Sequence, residues 1–201
     1  MVVPSYLNLT RILIIANVAA YLVEKAAPDL MLGSFALWPL NGGGTPDSAP
    51  FEVWQLITYG FLHDYNSIWH IVLNMWALFM FGQDVERALG RARFAGLYFT
   101  SILTAGLTQL AFTYFAGLPP FPTVGASGAI FGVLMAFAIY FPKRIIVLII
   151  PPIPLPAPIF VCVFAALELY LGVTGTQEGV AHFAHLGGLV GALFFLRWRR
   201  S

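Results

Sequence analysis

Charged residues are scarce in this chain. Asp, Glu, Lys and Arg make up 9% of its 201 residues, whereas a soluble domain carries about 25%. Hydrophobic residues make up 59%. This composition excludes an ordinary soluble domain and predicts a membrane protein in which most of the chain is needed for membrane spans. We therefore expect a single domain over residues 1–201, and the net charge of +1 gives no indication of a nucleic-acid partner.

Cysteine is almost absent. The single Cys162 excludes an internal disulfide and any cysteine-based metal cluster, and within an apolar run a cysteine usually acts as a small hydrophobe. The chain also lacks a His-Glu-x-x-His sequence, which disfavours metal-dependent proteolysis. We accordingly expect neither a metal nor a cofactor.

Six apolar segments are each bounded by charges, glycine or proline, and each is predicted to form a helix. Several are shorter than the roughly 20 residues of a full span, which suits helices that begin below the membrane surface around a wet cavity. The predicted fold class is all-α, a bundle of six transmembrane helices. The segments cover residues 7–23, 68–81, 94–115, 127–141, 159–173 and 180–196.

The positions of the cations predict the orientation. With six spans, both termini, the second loop and the fourth loop lie on one side, and nine of the ten Lys and Arg residues fall there. Only Lys25 falls on the other side. Positively charged loops stay in the cytoplasm, so both termini are expected there. We recognise no organellar transit peptide, and the expected location is the inner (plasma) membrane of a prokaryote.

Two loops carry structural signals of their own. The first, residues 24–67, contains a turn-forming run at 41–47 followed by an aromatic-rich stretch at 51–63. Aromatic side chains suit the lipid–water interface, so this loop is expected to be partly embedded in the membrane. The fourth loop has five prolines between residues 151 and 158, which forbid a continuous helix.

One serine stands at a predicted helix start. Ser127, in the sequence Gly125-Ala126-Ser127-Gly128, follows a proline-rich turn and precedes an apolar run. The first N–H groups of a helix have no intrahelical partner, so a hydroxyl there lies beside donors for a developing oxyanion. The plain alternative is that Ser127 only caps its helix.

Polar side chains inside the predicted spans are few and costly, and each is a functional candidate. His70 and Asn74 are four residues apart, on one face of the second span. The second, fourth and sixth spans all start on the outer side. His70, Ser127 and His185 should therefore lie within roughly 10 Å of one another in depth, at 1.5 Å per residue.

The sixth span offers two histidines as the base for Ser127. His185 directly precedes two small-xxx-small pairs, Gly187 with Gly191 and Gly188 with Ala192, that allow close helix packing. The small face of the fourth span, Gly128 and Gly132, is expected to receive them. Phe131, one turn below the serine, could pack against the imidazole. His182 is expected at the rim. The alternative, a hydrogen-bonded packing histidine at position 185, has no carboxylate partner evident in the sequence.

Five motifs, in order across nearly the whole chain, resemble those of the rhomboid intramembrane serine proteases. They are Trp54-Gln55-Leu56-Ile57-Thr58-Tyr59-Gly60-Phe61-Leu62-His63, His70-x-x-x-Asn74-Met75, Glu86-Arg87-Ala88-Leu89-Gly90, Gly125-Ala126-Ser127-Gly128 and Ala184-His185-Leu186-Gly187-Gly188.

The resemblance implies a Ser127 nucleophile with His185 as its base, in a dyad without an acidic third member. It also implies an oxyanion hole formed by His70, Asn74 and the Ser127 N–H. The Glu86–Arg87 pair would hold the second loop together. Gly125, Gly128, Phe131 and Gly188 would support the site, and the chain is similar to the basic six-span form of the family.

Three functions remain open from the sequence. The first is an endopeptidase that cuts other proteins' transmembrane segments near their outer ends, with those proteins and the lipid bilayer as partners and no nucleic acid. The second is a transporter with His70, His185 and Glu168 as a proton path. The third is a catalytically silent relative that binds membrane proteins. Nothing in the sequence indicates the oligomeric state or a role for Glu168.

Overall fold

The computed structural model describes residues 7–41, 48–119, 121–148, 151–175 and 181–198. Eight α-helices, one 3-10 turn and one two-stranded hairpin account for most of these ranges. The elements are α1 (Leu9–Ala26), α2 (Pro28–Phe35), α3 (Gln55–Thr58), the 3-10 turn Tyr59–Phe61, α4 (Ile68–Leu89), α5 (Arg91–Ala116), α6 (Ser127–Tyr140), β1 (Ile145–Val147), β2 (Pro154–Pro156), α7 (Ala157–Thr174) and α8 (His182–Trp198).

The predicted helical fold is confirmed, since each of the six apolar segments overlaps one long helix, namely α1, α4, α5, α6, α7 or α8. The bounds differ most for α4, which continues to Leu89 where the segment was expected to end at residue 81. By length and composition, two helices in the described ranges, α5 and α7, can each cross a membrane, and α6 is apolar but shorter. The number of spans therefore stays a prediction. Residue 180, where the sixth segment was expected to begin, lies outside the described residues, as do Arg199 and Arg200.

Helix α6 lies at the centre of the bundle. It packs against α4, α5 and α8, and nine of its fourteen residues are buried. Its sequence is apolar on all sides, as is typical of a helix surrounded by others. The core continues into α5 through fully buried Phe94, Leu97 and Tyr98. The first residue of α6, Ser127, is thereby held at the end of the most enclosed helix.

The all-α prediction missed one element, the hairpin between α6 and α7. Strands β1 and β2 pair antiparallel, with Ile145 opposite Pro156 and Val147 opposite Pro154. Proline cannot donate a ladder hydrogen bond, but a two-stranded ribbon has only edge strands, where proline is tolerated. The prolines do exclude helix here, as predicted.

The first loop is a folded unit and not a polar linker, as expected. The Nε1 of Trp54 donates to the Ser34 carbonyl at 2.9 Å, which joins α3 to α2. Gln55 is fully buried, and its Oε1 accepts from the Trp38 N–H at 3.2 Å. Most of the turn-forming run, residues 42–47, lies outside the described residues. Membrane embedding of the loop stays a prediction.

The Glu86–Arg87 pair acts differently from the expectation that it holds the second loop together. The Glu86 carboxylate accepts from the backbone N–H groups of Leu9 and Thr10 at 2.7 and 2.8 Å and from the Thr10 hydroxyl at 2.7 Å. It therefore caps the start of α1, where N–H groups need acceptors. Arg87 is exposed and pairs with Asp84 of its own helix.

Candidate active site

The turn before α6 is fixed by the first loop. Leu37 and Thr123 exchange two backbone hydrogen bonds, at 3.0 and 2.9 Å, and the Gly125 N–H donates to the Tyr59 carbonyl at 3.0 Å. These bonds join segments that are more than sixty residues apart in the chain. They place Ser127 at the first position of α6, where the backbone N–H groups of the first turn point out of the helix.

Gly125 brings this turn against His70. Its φ of +130° belongs to a region that residues with a side chain rarely adopt. A Cβ at this position would lie 3.0 Å from His70 Nε2 and 3.5 Å from Ser127 Oγ. A glycine is therefore required both by the backbone conformation and by the narrow space between the histidine and the serine.

Ser127 and His185 are in hydrogen-bond contact, with 2.7 Å between Oγ and Nε2. Phe131 stacks on the His185 ring, with centroids 4.5 Å apart and 7° between the planes. Stacking against an aromatic face restricts the rotation of the imidazole about its own bonds. The geometry thus joins a serine hydroxyl to an oriented imidazole, the arrangement used for nucleophilic catalysis.

Close packing of α8 on α6 makes this contact possible. A Cβ on Gly188 would overlap the backbone carbonyl of Gly128, so the two helix backbones touch at this point. This is the contact that the sequence predicted for the two small faces. Gly187 and Gly191 instead face threonines of α5. Helix α8 is therefore wedged between α5 and α6, and His185 is held at the level of Ser127.

A carboxylate lies on the other side of the His185 ring. Nδ1 of His185 is 2.9 Å from Oε2 of Glu168 on α7. The expectation that His185 has no carboxylate partner is therefore wrong, and so is the expectation that no acidic side chain joins the pair. The sequence placed Glu168 only in the proton path of the transporter alternative and not beside Ser127; the signal for its place here was its position as an acid in an otherwise apolar span.

His182 shares the same carboxylate oxygen, with 2.6 Å between its Nδ1 and Glu168 Oε2. Only 5% of its surface is exposed, so the prediction of a rim residue is wrong. An ionised carboxylate only accepts hydrogen bonds, so with Glu168 in that form both histidines donate from Nδ1. In a neutral His185 ring with the proton on Nδ1, Nε2 is then the bare nitrogen and accepts from the Ser127 hydroxyl.

The cluster of Glu168, His182 and His185 also has ligand types that can bind a metal. One ligand atom from each lies within 4.8 Å of the others. The nitrogen–oxygen distances of 2.6 and 2.9 Å are those of direct hydrogen bonds. The residues therefore form a hydrogen-bonded unit as they stand.

His70 and Asn74 lie near the start of α4, and the His70 ring lies beside the serine turn. The Asp64 N–H donates to His70 Nδ1 at 3.1 Å, which leaves the proton of a neutral imidazole on Nε2, the atom that faces Gly125. Asn74 donates one amide N–H to the His70 carbonyl at 2.8 Å. The second amide N–H of Asn74 is then available as a donor, as is the Nε2–H of His70.

A further histidine stands behind His70. The rings of His63 and His70 meet edge to face, with centroids 5.1 Å apart, and His63 is fully buried. Burial, with a smaller contribution from the charge that a protonated His70 would carry, lowers the pKa of His63 from 6.5 to about 3. His63 is therefore a neutral packing residue.

Comparison with known proteins gives a family for this chain. The Rhomboid domain profile matches residues 50–200. Rhomboid protein 1, mitochondrial, of Saccharomyces cerevisiae is 34% identical over 138 residues, which cover 67% of this chain and 39% of that protein. Rhomboid protease GluP of Bacillus subtilis is 29% identical over 179 residues, which cover 82% of this chain and 32% of that protein.

A third relative, rhomboid protease GlpG of Photorhabdus laumondii, is 28% identical over 193 residues, which cover 94% of this chain. The chain spans 61% of that protein, and so less than two thirds of the length of each of these three relatives. The region matched by the profile, residues 50–200, includes the side chains of the candidate site from His63 on the first loop to His185 on α8. The chain belongs to the rhomboid family.

Proposed function

We propose that this chain is an intramembrane serine endopeptidase that hydrolyses peptide bonds in or near the outer ends of substrate transmembrane segments. The observation that carries the proposal is the 2.7 Å contact between Ser127 Oγ and His185 Nε2 in a member of a family whose relatives include proteins named rhomboid proteases. The proposed nucleophile is Ser127 and the proposed general base is His185.

The reaction steps follow from the contact between Ser127 Oγ and His185 Nε2. Ser127 Oγ attacks the carbonyl carbon of the substrate while its proton passes to His185 Nε2. The carbon–nitrogen bond then breaks, and the protonated imidazole gives the proton to the leaving amine. A water molecule, activated by the same imidazole, hydrolyses the ester on Ser127 and restores the hydroxyl. These steps need no cofactor.

The proposed oxyanion hole has three donors. They are the Ser127 backbone N–H, the Nε2–H of His70 and the second amide N–H of Asn74. The hydrogen bond from Asp64 to His70 Nδ1 supports the donor role of Nε2, because it fixes the tautomer. Donors that are already oriented stabilise the developing negative charge without reorganising during the reaction.

The membrane sets the requirements for the substrate. A transmembrane helix satisfies its backbone hydrogen bonds internally, so the substrate must unwind locally before Ser127 can reach a carbonyl. Helix-weakening residues are therefore expected near the cut. The proposed setting is a six-span protein of the inner (plasma) membrane, with both termini cytoplasmic and Ser127 open to water from the outer side.

The deciding experiment is labelling with a fluorophosphonate probe in detergent, alongside cleavage of a transmembrane substrate. We expect the parent protein to be labelled and to cleave, and Ser127→Ala and His185→Ala to do neither. Labelling of both parent and Ser127→Ala, or of neither, would remove the support for an endopeptidase. A folded but unlabelled parent would favour the silent-binder or transporter reading.

A further inference from the structure

We infer that Glu168 is a positioning residue for the proposed reaction, and that it makes the alignment of His185 depend on the seating of α7. The inference rests on the proposed function. The carboxylate accepts from Nδ1 of His185 and so keeps Nε2 free to receive the Ser127 proton. Because Glu168 lies on α7 and His185 on α8, this contact forms only when the two helices are docked.

The burial of the three side chains gives the contact its strength. The side chains of Glu168, His182 and His185 are 12%, 5% and 11% exposed. Hydrogen bonds to a charged acceptor are shorter and stronger than neutral ones, and low local dielectric increases their strength further. The imidazolium that forms when His185 takes the proton is stabilised by the same carboxylate. Glu168 therefore both orients the base and favours its protonated form.

Only the first part of helix α7 is buried in the bundle. Its buried residues are Ala157, Phe160 and Val161, all within its first five positions, next to the hairpin. In its second half, Leu169, Tyr170 and Val173 are exposed. This half meets α8 through the bonds from Glu168 to the two histidines and through a second contact, described next.

That second contact is made by Gly172. A Cβ on this residue would lie 3.0 Å from the Phe183 ring and 3.1 Å from His182 Cβ. The position is therefore a close approach between α7 and α8, one turn beyond Glu168. A larger side chain at position 172 should push the two helices apart without changing any polar group.

The consequence is a link between substrate access and catalysis. When the second half of α7 moves outward, the Glu168 carboxylate leaves His185 Nδ1, and the imidazole loses the acceptor that fixes its tautomer. When α7 returns, the base is aligned again. Chemistry is then favoured only with α7 closed, a coupling of the kind found where closure completes a catalytic site.

The test compares the parent with Glu168→Leu, Glu168→Gln and Glu168→Asp, and uses Leu169→Ala as a control on the exposed side of the same helix. Each variant is first shown to be folded by circular dichroism and gel filtration. We then measure kcat and KM on a transmembrane substrate, the rate of fluorophosphonate labelling, and the ¹⁵N histidine spectrum that reports which ring nitrogen of His185 carries the proton.

Glu168→Leu should lower kcat and the labelling rate about 10- to 100-fold, the scale of one hydrogen bond to a charged group, with KM changed less than about twofold. Glu168→Gln keeps a neutral acceptor and should lose less, and Glu168→Asp should recover part of the rate. In Glu168→Leu, the ¹⁵N spectrum should show that a smaller fraction of His185 carries its proton on Nδ1. Leu169→Ala should match the parent.

Gly172→Leu tests the dependence on α7. It should slow labelling in the same direction, and adding Glu168→Leu to it should cost little more, because both changes remove one contact. Parental kcat, labelling rate and His185 spectrum in folded Glu168→Leu would overturn the positioning role. Parental labelling in Gly172→Leu would overturn the dependence on α7. Both results can be told apart from failure of the proposed function, because in that case the parent protein itself would show no Ser127-dependent labelling.

Discussion

At the scale of single residues, His70 and Asn74 stand apart from the Ser127–His185 pair. Neither is within the chain of bonds that runs from Ser127 through His185 to Glu168. In the proposed oxyanion hole each of them supplies one donor, and the Ser127 N–H supplies a third. Because the proposed oxyanion role is shared among three groups, loss of one should slow the reaction and not abolish it.

We therefore expect His70→Ala and Asn74→Ala to reduce turnover about 10²- to 10³-fold, the usual effect of losing one oxyanion donor, with substrate binding little changed. Ser127→Ala and His185→Ala should fall to background, and the double variant should be little worse, since the two act as a unit. Single-turnover kinetics in one detergent measures this. An Asn74→Ala enzyme as inactive as Ser127→Ala, or as fast as the parent, would contradict the role.

His63 gives a prediction for stability. Between pH of about 6.5, where a free histidine titrates, and pH of about 3, where the folded side chain does, the unfolded chain binds a proton at residue 63 that the folded chain excludes. Stability must fall as the pH is lowered through this window. Thermal unfolding in detergent from pH 7 to pH 5 should therefore show a shallower decrease for His63→Leu than for the parent. Parallel curves would contradict the assignment.

At the scale of elements, α7 has the fewest buried residues of the six long helices in the described ranges. It follows the proline-containing hairpin, and its buried residues are confined to its start. Helices α4 and α7 both pack against α6. A substrate that reaches Ser127 sideways from lipid has the space beside α7 as its route of least resistance, and we expect α7 to move for it.

Cross-linking α7 to α4 through engineered cysteines should block cleavage of a membrane-embedded substrate while leaving fluorophosphonate labelling in place, because the probe needs no lateral opening. The native Cys162 is exposed on α7 and is first replaced by alanine. Reduction of the cross-link provides the matched control and should restore cleavage. Cleavage at the parent rate in the cross-linked enzyme would move the opening elsewhere.

Sequence periodicity predicted the elements that depend on local signals. The face shared by His70 and Asn74, and the small faces that bring α6 and α8 together, follow from residue spacing along each helix. The contact of Glu168 with His185 does not, because it depends on how α7 is rotated, and a helix that is apolar on nearly all sides gives no preferred face. The hairpin was not predicted because prolines in a sequence indicate where a helix ends but do not indicate which strands pair.

At the scale of the whole molecule, the charge asymmetry predicts the orientation of the chain. Cysteines introduced at Gly43 and Thr123, in a chain lacking Cys162, should react with an impermeant thiol reagent added to intact cells. Cysteines at Lys143 and Ser201 should react only after permeabilisation. Gly43 and Ser201 lie outside the described residues, and Thr123 and Lys143 provide the sites within them. A C-terminus labelled from outside would reverse the proposed topology.

The shared depth of His70, Ser127 and His185 was the whole-molecule inference that the sequence could support, because three helices that start on one side bring their first residues to one level. Long-range polar contacts could not be predicted from the sequence. The carboxylate of Glu86 reaches the start of α1 across 76 residues, and no local pattern marks a glutamate at a helix end as the cap of a different helix.

That cap bears on the order in which the chain assembles during synthesis. Helix α1 leaves the ribosome long before residue 86 has been made, and the N–H groups of Leu9 and Thr10 can then bind only water. These N–H groups gain a protein acceptor only when α4 has been made and the Glu86 carboxylate at its end contacts the start of α1. Helix α1 is thus completed only after α4, and a nascent chain stopped before Glu86 would keep α1 as an unanchored helix.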